Sequence, residues 1–429
     1  MMVAGSLPVV RRTANFSFYR RIFVEKIYMD NNATTAVKPE VLEAMLPYFC
    51  EQFGNPSSVH WAGRMVGGAI DKARQQVADL LHCSPAEVIF LSCGSEGDNY
   101  AIKGTAEALK DKGNHIITTA VEHPAVLETC QALEKDGFEV TYLGVDKDGS
   151  LDLKELEAAI TEKTILISVM WANNETGNIY PIEEIGQIAK KHKIRFHTDA
   201  VQSAGKIPVD VRKANVDMAV ISGHKIGAPK GIGAMYLRRG TRISRFMHGG
   251  HQERNRRAGT HNVPGIVGLG IACELAQQNM DNDYKYVRAL RDKLENGILS
   301  TIPDVKLNGH PNADLRLPNT LNVSFNYIEG ESLLLFFDMK GIAASSGSAC
   351  TSGSLEPSHV MGAMGVDIVL AHSSTRFSLG PDNTEEEIDF ILQELPAIVQ
   401  RLREMSPLYN RKEPAPLSCD ECRMVTCNH

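Results

Sequence analysis

Apolar residues recur along this chain in two alternating rhythms. A brief strand at 27–29 runs into the polar turn Asp30-Asn-Asn-Ala-Thr-Thr35, and helical spacing follows over 39–49 and again over 62–81. From Glu87 onward, short apolar runs and helical patterns take turns. The pattern predicts strand 88–92, turn 93–98, helix 99–109, strand 115–119, helix 124–135 and strand 139–143. It continues with helix 153–160, strand 164–170, helix 182–192, strand 194–197 and strand 218–222. Such regular alternation means βαβ units and a mostly parallel sheet covered on both faces, with a ligand site at the carboxyl ends of the strands. Ser95, His123, Asn173, Asn174, Asp199, Gln202 and Lys225 all fall at those ends.

From about residue 280 the rhythm changes: a long charged helix over 283–299, strand 320–325, a helix after Gly330, a strand at 376–379 and a closing helix over 384–405. This predicts a second, smaller α+β domain. The expected partition is an extension over 1–25, a first piece of the small domain over 26–40, a large domain over 41–280, the rest of the small domain over 281–409, and a cysteine-containing tail over 410–429.

Composition narrows the function. A chain of 429 residues with 43% hydrophobic and 23% charged residues is ordinary for a globular enzyme of two domains. A formal net charge of -7 argues against general nucleic-acid binding, and no apolar stretch approaches the ~20 residues of a membrane-spanning helix. The nine cysteines lack the spacing of a disulfide framework, which fits a reducing compartment and points to the cytoplasm. The first 24 residues contain no acid but carry Arg11, Arg12, Arg20 and Arg21, the composition of a transit peptide. A mitochondrion or related organelle is therefore the alternative, although a short extension without any targeting role explains the same residues.

The candidate chemistry centres on Lys225, which ends the run Met218-Ala-Val-Ile-Ser222-Gly-His-Lys225 and precedes a stretch whose glycines at 227, 231 and 233 would let the backbone pass close to a ligand. A lysine at a strand end beside a histidine is a candidate nucleophilic amine; it also reads as a surface lysine at a turn. Gly94-Ser95-Glu96 at a helix N-terminus is either a phosphate site or an ordinary cap. Asp199 could hold a protonated pyridine nitrogen or cap the next helix, and His123 could stack on a flat ring, shuttle protons or open a helix. Arg376 could grip a carboxylate or face solvent. Cys350, on the small-residue loop Ser345-Ser-Gly-Ser-Ala-Cys-Thr-Ser-Gly-Ser354, is a candidate nucleophile or a fortuitously exposed thiol. Taken together, a phosphate cradle, an acid, an amine, an imidazole and a carboxylate clamp make a pyridoxal phosphate site.

Those residues stand in motifs that resemble the cysteine desulfurases of the NifS/IscS kind, class-V aminotransferases. The likeness runs from about Ile27 to Pro407 and is carried by Phe53-Gly-Asn-Pro-Ser-Ser, Glu122-His-Pro-Ala-Val, Asn173-Asn-Glu-Thr-Gly, His197-Thr-Asp-Ala-Val-Gln202, Ser222-Gly-His-Lys225, Arg257-Ala-Gly-Thr260 and Ser346-Gly-Ser-Ala-Cys350. Ser92-Cys-Gly-Ser-Glu-Gly and Gly249-Gly-His-Gln-Glu-Arg are closer to the NifS branch. The resemblance implies the aspartate-aminotransferase-like fold (fold type I), with a large mixed seven-stranded sheet, and a homodimer. It implies that Lys225 forms the imine with pyridoxal 5'-phosphate, that Asp199 pairs with the ring nitrogen, that Gln202 and Asn174 bond the ring's oxygen side, and that His123 stacks. Gly94, Ser95, Ser222 and His224 would bind the phosphate together with Thr260 from the partner subunit, and Arg376 with Asn174 would hold the substrate carboxylate.

The implied reaction takes sulfur from L-cysteine as a persulfide on Cys350, releases L-alanine and passes the sulfur to an iron-sulfur scaffold protein. No resident metal is implied, though Cys350 could share a transient iron-sulfur cluster with that scaffold. An aminotransferase or selenocysteine lyase would use the same Lys225 and Asp199, but an aminotransferase has no need of Cys350. A nucleotide-binding or structural protein would lack a lysine-bound chromophore. The tail cysteines Cys419, Cys422 and Cys427 fall outside the family pattern and read as a reduced tail, or as a metal or sulfur-relay motif without a clear fourth ligand beyond His429.

Overall fold

Seven strands make the sheet on which the candidate residues are mounted. A computed structural model describes residues 26–346 and 357–409; the extension over 1–25, Cys350 and the tail cysteines lie outside the described residues. In chain order the first half comprises β1 (Ile27–Tyr28), α1 (Pro39–Met45), α2 (Pro47–Cys50), α3 (Trp61–Leu80), β2 (Val88–Leu91), α4 (Gly94–Leu109), β3 (His115–Thr119), α5 (Pro124–Lys135), β4 (Glu139–Leu143), α6 (Leu153–Ala158), β5 (Thr164–Ser168), α7 (Ile182–His192) and β6 (Arg195–Asp199). The second half comprises β7 (Met218–Ser222), β8 (Gly233–Leu237), the short turn α8 (Gln252–Asn255), α9 (Val263–Thr301), β9 (Val305–Leu307), β10 (Thr320–Phe325), α10 (Gly330–Met339), β11 (Ile342–Ala343), β12 (Ser345–Ser346), α11 (His359–Ala363), α12 (Ile368–His372), β13 (Ser374–Ser378) and α13 (Glu385–Met405).

The large sheet has the order β2-β8-β7-β6-β5-β3-β4. Only β8 runs against its neighbours, pairing antiparallel with both β2 and β7, so the other six strands deliver their carboxyl ends to one edge. Every residue of β3, β5 and β7 is buried, which explains their unbroken apolar runs: helices cover both faces of the sheet. The sequence pattern gave no sign of β8. Its residues Gly-Ala-Met-Tyr-Leu follow a glycine-rich turn, and the glycines there serve protein packing more than ligand approach. A Cβ on Gly233 would lie 2.8 Å from the Ile221 carbonyl oxygen, and one on Gly227 would meet the Lys38 side chain at 2.8 Å. Both glycines are corrections to the ligand reading of that stretch.

Two helices begin earlier than their patterns suggest. Helix α4 opens at Gly94, not at residue 99, because the Cys93 sulfur accepts from the Glu96 N–H and caps a turn whose polar residues mimic a loop. The helix expected from Asp283 is the second half of the 39-residue α9, capped where Asn262 Oδ1 accepts the Gly265 N–H at 3.1 Å. Its apolar first half had looked separate from its charged second half. That first half buries Ile266, Leu269 and Cys273 against Val66, Ile70 and Val77 of α3 in the core of the large sheet. Its second half buries Leu290, Leu294 and Ile298 in another core with Met29, Leu321, Phe377, Ile388 and Leu395. One rigid helix thus enters both cores, and residues 280 and 281 lie inside it. The second core is built on the four-stranded sheet β12-β13-β10-β9 and the small β1-β11 pair.

Candidate active site

The carboxyl ends of five parallel strands bring the sequence-predicted residues to one edge of the sheet. Chain leaving β7 turns through Gly223–Lys225 and places Lys225 there, where its Nζ donates to the main-chain carbonyls of Asn32 and of Ala33, the latter at 2.8 Å. The N-terminal segment that supplies those carbonyls is tied down nearby. Thr35 donates its N–H and its hydroxyl to the His224 carbonyl at 2.8 and 3.0 Å, and Thr34 Oγ1 lies 3.2 Å from His224 Nδ1.

Asp199 ends β6, buried, with Oδ1 accepting the Val201 N–H at 2.8 Å. Burial raises its pKa, while the Val201 N–H and the charge on Lys225 pull it back. Two further acids lie behind it. Burial and the like charges of Asp199 and Glu122 hold the Asp98 carboxyl well above its usual range, and burial pushes Glu122 up to about 8. Asp98 Oδ1 is 3.5 Å from Nε2 of His197, itself kept neutral by burial.

His123 precedes α5 as its N-cap, Nδ1 accepting the Ala125 N–H at 3.1 Å. Burial first, then the charge on Lys225 and the neighbouring His359, push its pKa down to about 4, so the ring is neutral with its proton on Nε2. Gln202, buried in the turn after β6, donates from Nε2 to the Asn32 carbonyl at 3.0 Å and accepts from Lys206 Nζ at 2.8 Å. The Ser222 hydroxyl is buried with no hydrogen-bond partner among the described residues. Beside it is the start of α4: a Cβ on Gly94 would stand 3.6 Å from Ser222 Cβ. Ser95, in that first turn, is exposed.

Arg376 reaches the same edge from β13, its side chain almost entirely buried. Nη1 donates to the carbonyl oxygen of Asn174 at 2.9 Å, and Nη2 to Asp30 Oδ1 at 2.8 Å, while Nε has no partner among the described residues. Asn174 therefore positions the arginine with its backbone, not with the side chain that the sequence singles out.

Thr260 is not in this cluster. It is exposed and lines a separate recess of about 160 Å³ with Ser92, Gly231 and Arg257. The loop that carries it is held under strain: Glu253, Arg254 and Asn255 are three consecutive left-handed residues at φ 45°, 54° and 64°. What holds them is the buried Glu253, bidentate with Arg74 at 2.7 and 2.8 Å and bonded to His261 Nε2 at 2.8 Å.

Sequence reasoning missed four groups that organise the site. Asn32 read as a turn residue, and Lys206 looked like any lysine in Gly-Lys-Ile-Pro. The other two hold Ser358 and His359, just beyond the segment that contains Cys350: Ser358 Oγ donates to the buried Glu175 carboxylate, and His359 Nε2 lies 2.8 Å from the Glu122 carbonyl oxygen. A signal was present for Glu175, an acid inside the otherwise neutral Asn173-Asn-Glu-Thr-Gly. Next to Lys225 and Lys206 opens a cavity of about 590 Å³, lined also by Thr34, Ile226, Tyr284 and Asn383. His123, Asp199, Gln202 and Arg376 are not in its wall, so the chemistry of those side chains, and not this cavity, marks where a flat ring would lie.

Comparison with known proteins agrees with that chemistry. The family model described as aminotransferase class-V matches residues 27–391. Cysteine desulfurase 2 of Trichormus variabilis is 56% identical over 384 residues, 90% of this chain and 96% of that protein. Cysteine desulfurase NifS of Azotobacter vinelandii is 52% identical over 389 residues, 90% of this chain and 96% of that one. Among solved structures, a NifS-like protein superposes with a TM-score of 0.82 at 41% identity, covering 88% of this chain and all (100%) of that one. A structure described as SspA in complex with cysteine superposes at 0.73 with 38% identity, over 83% of this chain and 100% of its own.

Proposed function

The chain belongs to the class-V aminotransferase family and is a cysteine desulfurase; we propose that it works with pyridoxal 5'-phosphate on Lys225, takes sulfur from L-cysteine and releases L-alanine. The observation that carries the cofactor reading is the buried, unpartnered Ser222 hydroxyl beside Gly94 at the start of α4. A phosphate there would satisfy that hydroxyl and receive the free N–H groups of the helix's first turn. Ser95 and His224 complete the cradle from this chain, and Thr260 would reach it across a dimer interface. Asp199 would hold the protonated ring nitrogen, Gln202 and Asn174 the oxygen side, and His123 the ring face. When bound, the cofactor supplies an electron sink for bond changes at the substrate's Cα and Cβ.

The chain's own groups do the rest. The Lys225 amine, once displaced by the substrate amine, takes and returns the Cα proton. Asp199 is costly as a buried anion, and a protonated ring nitrogen would offset that cost, so this carboxylate would favour the ring form that draws electrons. His123, neutral with a proton on Nε2, can pass that proton without carrying charge into the site. Arg376, aimed by the Asn174 carbonyl and Asp30, holds the substrate carboxylate. Cys350 as thiolate attacks the substrate sulfur; the new S–S bond forms as the C–S bond breaks, and the C–S electron pair stays with the carbon skeleton that leaves as alanine. The persulfide then passes to an acceptor, which we take to be an iron-sulfur scaffold protein.

Several surface features support a homodimer. Leu46, Phe49, Phe53, Val59 and Trp61 are all more than half exposed within one short stretch, an apolar patch that a second copy would cover. The shared helix α9 is compatible with a large domain over 41–280 and a small domain from 26–40 and 281–409. We place the enzyme in the cytoplasm, with the first 24 residues as the segment whose deletion in an imaged fusion would reveal an organelle instead. The central reading is tested by adding pyridoxal phosphate to the purified protein. A visible absorption band that Lys225→Ala lacks, with alanine released from L-cysteine, is expected; absence of both overturns it.

A further inference from the structure

One amine at the site has no part in the chemistry above. Lys206 is half-buried: its stem lines the cavity of about 590 Å³, and its Nζ is turned inward to Oδ1 of Asn32 at 3.1 Å and Oε1 of Gln202 at 2.8 Å. Neither partner is a carboxylate. Enclosure without a counter-charge, followed by the positive charges of Lys225 and Arg376, drives its pKa well below that of an ordinary lysine. An amine kept in such a place is expensive, and its geometry shows what it secures.

A side-chain amide can face either way, and here its two neighbours decide. An ammonium only donates, and even a neutral amine would direct its two N–H groups at the two oxygens it touches. The Asn32 carbonyl only accepts. Between them the Gln202 amide has one orientation: oxygen toward Lys206, nitrogen toward the Asn32 carbonyl at 3.0 Å, with one N–H left over. Asn32 is held just as fully. Its carbonyl accepts from both Lys225 and Gln202, its Oδ1 from Lys206 and Asn319, its Nδ2 donates to Thr320 Oγ1 at 2.9 Å, and its N–H to Ser378 Oγ at 2.9 Å.

We propose that Lys206 is a positioning residue of the desulfurase reaction: it locks the Gln202 amide so that the spare N–H faces the oxygen side of the cofactor ring, and thereby sets how tightly the Lys225 nitrogen holds its proton. The inference rests on the assignment of Lys225 and Gln202 proposed above. An N–H donated to the ring oxygen stabilises that oxygen as an anion and weakens its hold on the proton shared with the Lys225 nitrogen. Without Lys206 only the Asn32 carbonyl opposes a flip, so the amide is no longer locked, and wherever its oxygen turns to the ring the proton is held more tightly. The other charged or titratable groups around Lys225 are Asp199 from β6, His123 from the start of α5, His224 beside it, and Arg376 from β13 with its partner Asp30. None of them touches the Gln202 amide.

The test is an absorption titration of the loaded enzyme against pH. Lys206→Met is expected to raise the pKa of the lysine-bound chromophore by about one unit, a tenfold gain in proton affinity. Lys206→Arg, which also only donates, is expected to stay within about twofold of the parent. In a Gln202→Ala background the same Lys206→Met change is expected to add less than about twofold, because the residue it acts through is gone. Where Lys206→Met does not fold, Lys206→Gln serves, since a second amide can flip with Gln202 and should give the same rise. An unshifted pKa in the variant that folds, an equal shift in Lys206→Arg, or a full tenfold effect persisting without Gln202 would overturn the proposal; the last would show a direct charge effect on Lys225. A parent protein that forms no chromophore at all would overturn the functional reading instead.

Discussion

Arg376 Nη2 donates to Asp30 Oδ1 at 2.8 Å, so the residue expected to clamp the substrate is itself clamped by a carboxylate 346 positions earlier in the chain. With Nη1 on the Asn174 carbonyl as well, the guanidinium is fixed in plane. Arg376→Ala is expected to raise KM for L-cysteine by about 100-fold, the loss of a charge-assisted contact worth roughly 3 kcal/mol. Asp30→Asn keeps an acceptor but removes the charge, and is expected to raise KM by about threefold to tenfold with little change in bound cofactor. An unchanged KM in both variants would contradict the role given to Arg376.

Glu122 links the site to stability. Its folded carboxyl titrates near 8 because it is buried, although the Met170 N–H and Thr119 hydroxyl both donate to Oε1. A raised carboxyl takes up a proton on folding, so its favourable contribution is full below the ordinary value of 4.5 and is lost as pH rises through about 8. The unloaded protein should therefore melt at lower temperature at pH 8.5 than at pH 6. Glu122→Gln, which mimics the neutral acid, is expected to reduce that fall by roughly 2–4 °C, on the order of 1 kcal/mol. An identical pH dependence in the variant would rule out Glu122 as its source.

Legibility in the sequence followed local pattern and not burial: β4, mostly outside the core, was legible, while the fully buried β8 was not. Strands β3, β4 and β7 and helices α5 and α7 have the same ends in the pattern and in the structure, because each is an unbroken apolar or amphipathic run closed by turn residues. The first turn of α4 and strand β8 were hidden because tertiary packing makes a helical turn of Gly94-Ser-Glu-Gly-Asp and a strand of a run that begins with glycine. Lys225, Asp199, His123 and Gln202 could be placed at strand ends in advance, whereas Ser222 entered only through the family resemblance. Asn32 and Lys206 could not be singled out in advance, since what matters about them is that they meet across 174 residues of sequence.

Lys225 and Asp199 should separate in their effects. Lys225→Ala removes the residue proposed both to hold the cofactor and to move the Cα proton, so turnover is expected to vanish. Asp199→Ala is expected to retain some cofactor on the Ser222 and α4 cradle while losing about 100-fold or more in kcat, roughly 3 kcal/mol, because an unprotonated ring draws electrons poorly. Normal alanine release by the Lys225 variant would show that another lysine is the base.

Removal of residues 411–429 tests the tail cysteines. Helix α13, the last element among the described residues, ends at Met405 with Leu402 and Arg403 buried. Alanine release from L-cysteine is expected to stay within about twofold of the full chain, which is less than 0.5 kcal/mol in the barrier. Loss of most of the activity would instead make Cys419, Cys422 or Cys427 part of the sulfur path.

Cys350 is the residue proposed to separate desulfuration from the other reactions that pyridoxal phosphate supports. Serine in its place has nearly the same size, but its hydroxyl is not ionised near neutral pH and is a poor nucleophile toward sulfur. Lys225, Asp199 and Arg376 are untouched in Cys350→Ser, so the variant is expected to bind the cofactor and to change its absorption when L-cysteine is added. It is not expected to release alanine at more than about a hundredth of the parent rate, some 3 kcal/mol in the barrier, nor to take up label from sulfur-labelled cysteine. The two readouts divide the outcomes. A variant that failed to bind L-cysteine would place Cys350 in substrate binding; one that still carried a persulfide would require another thiol as nucleophile.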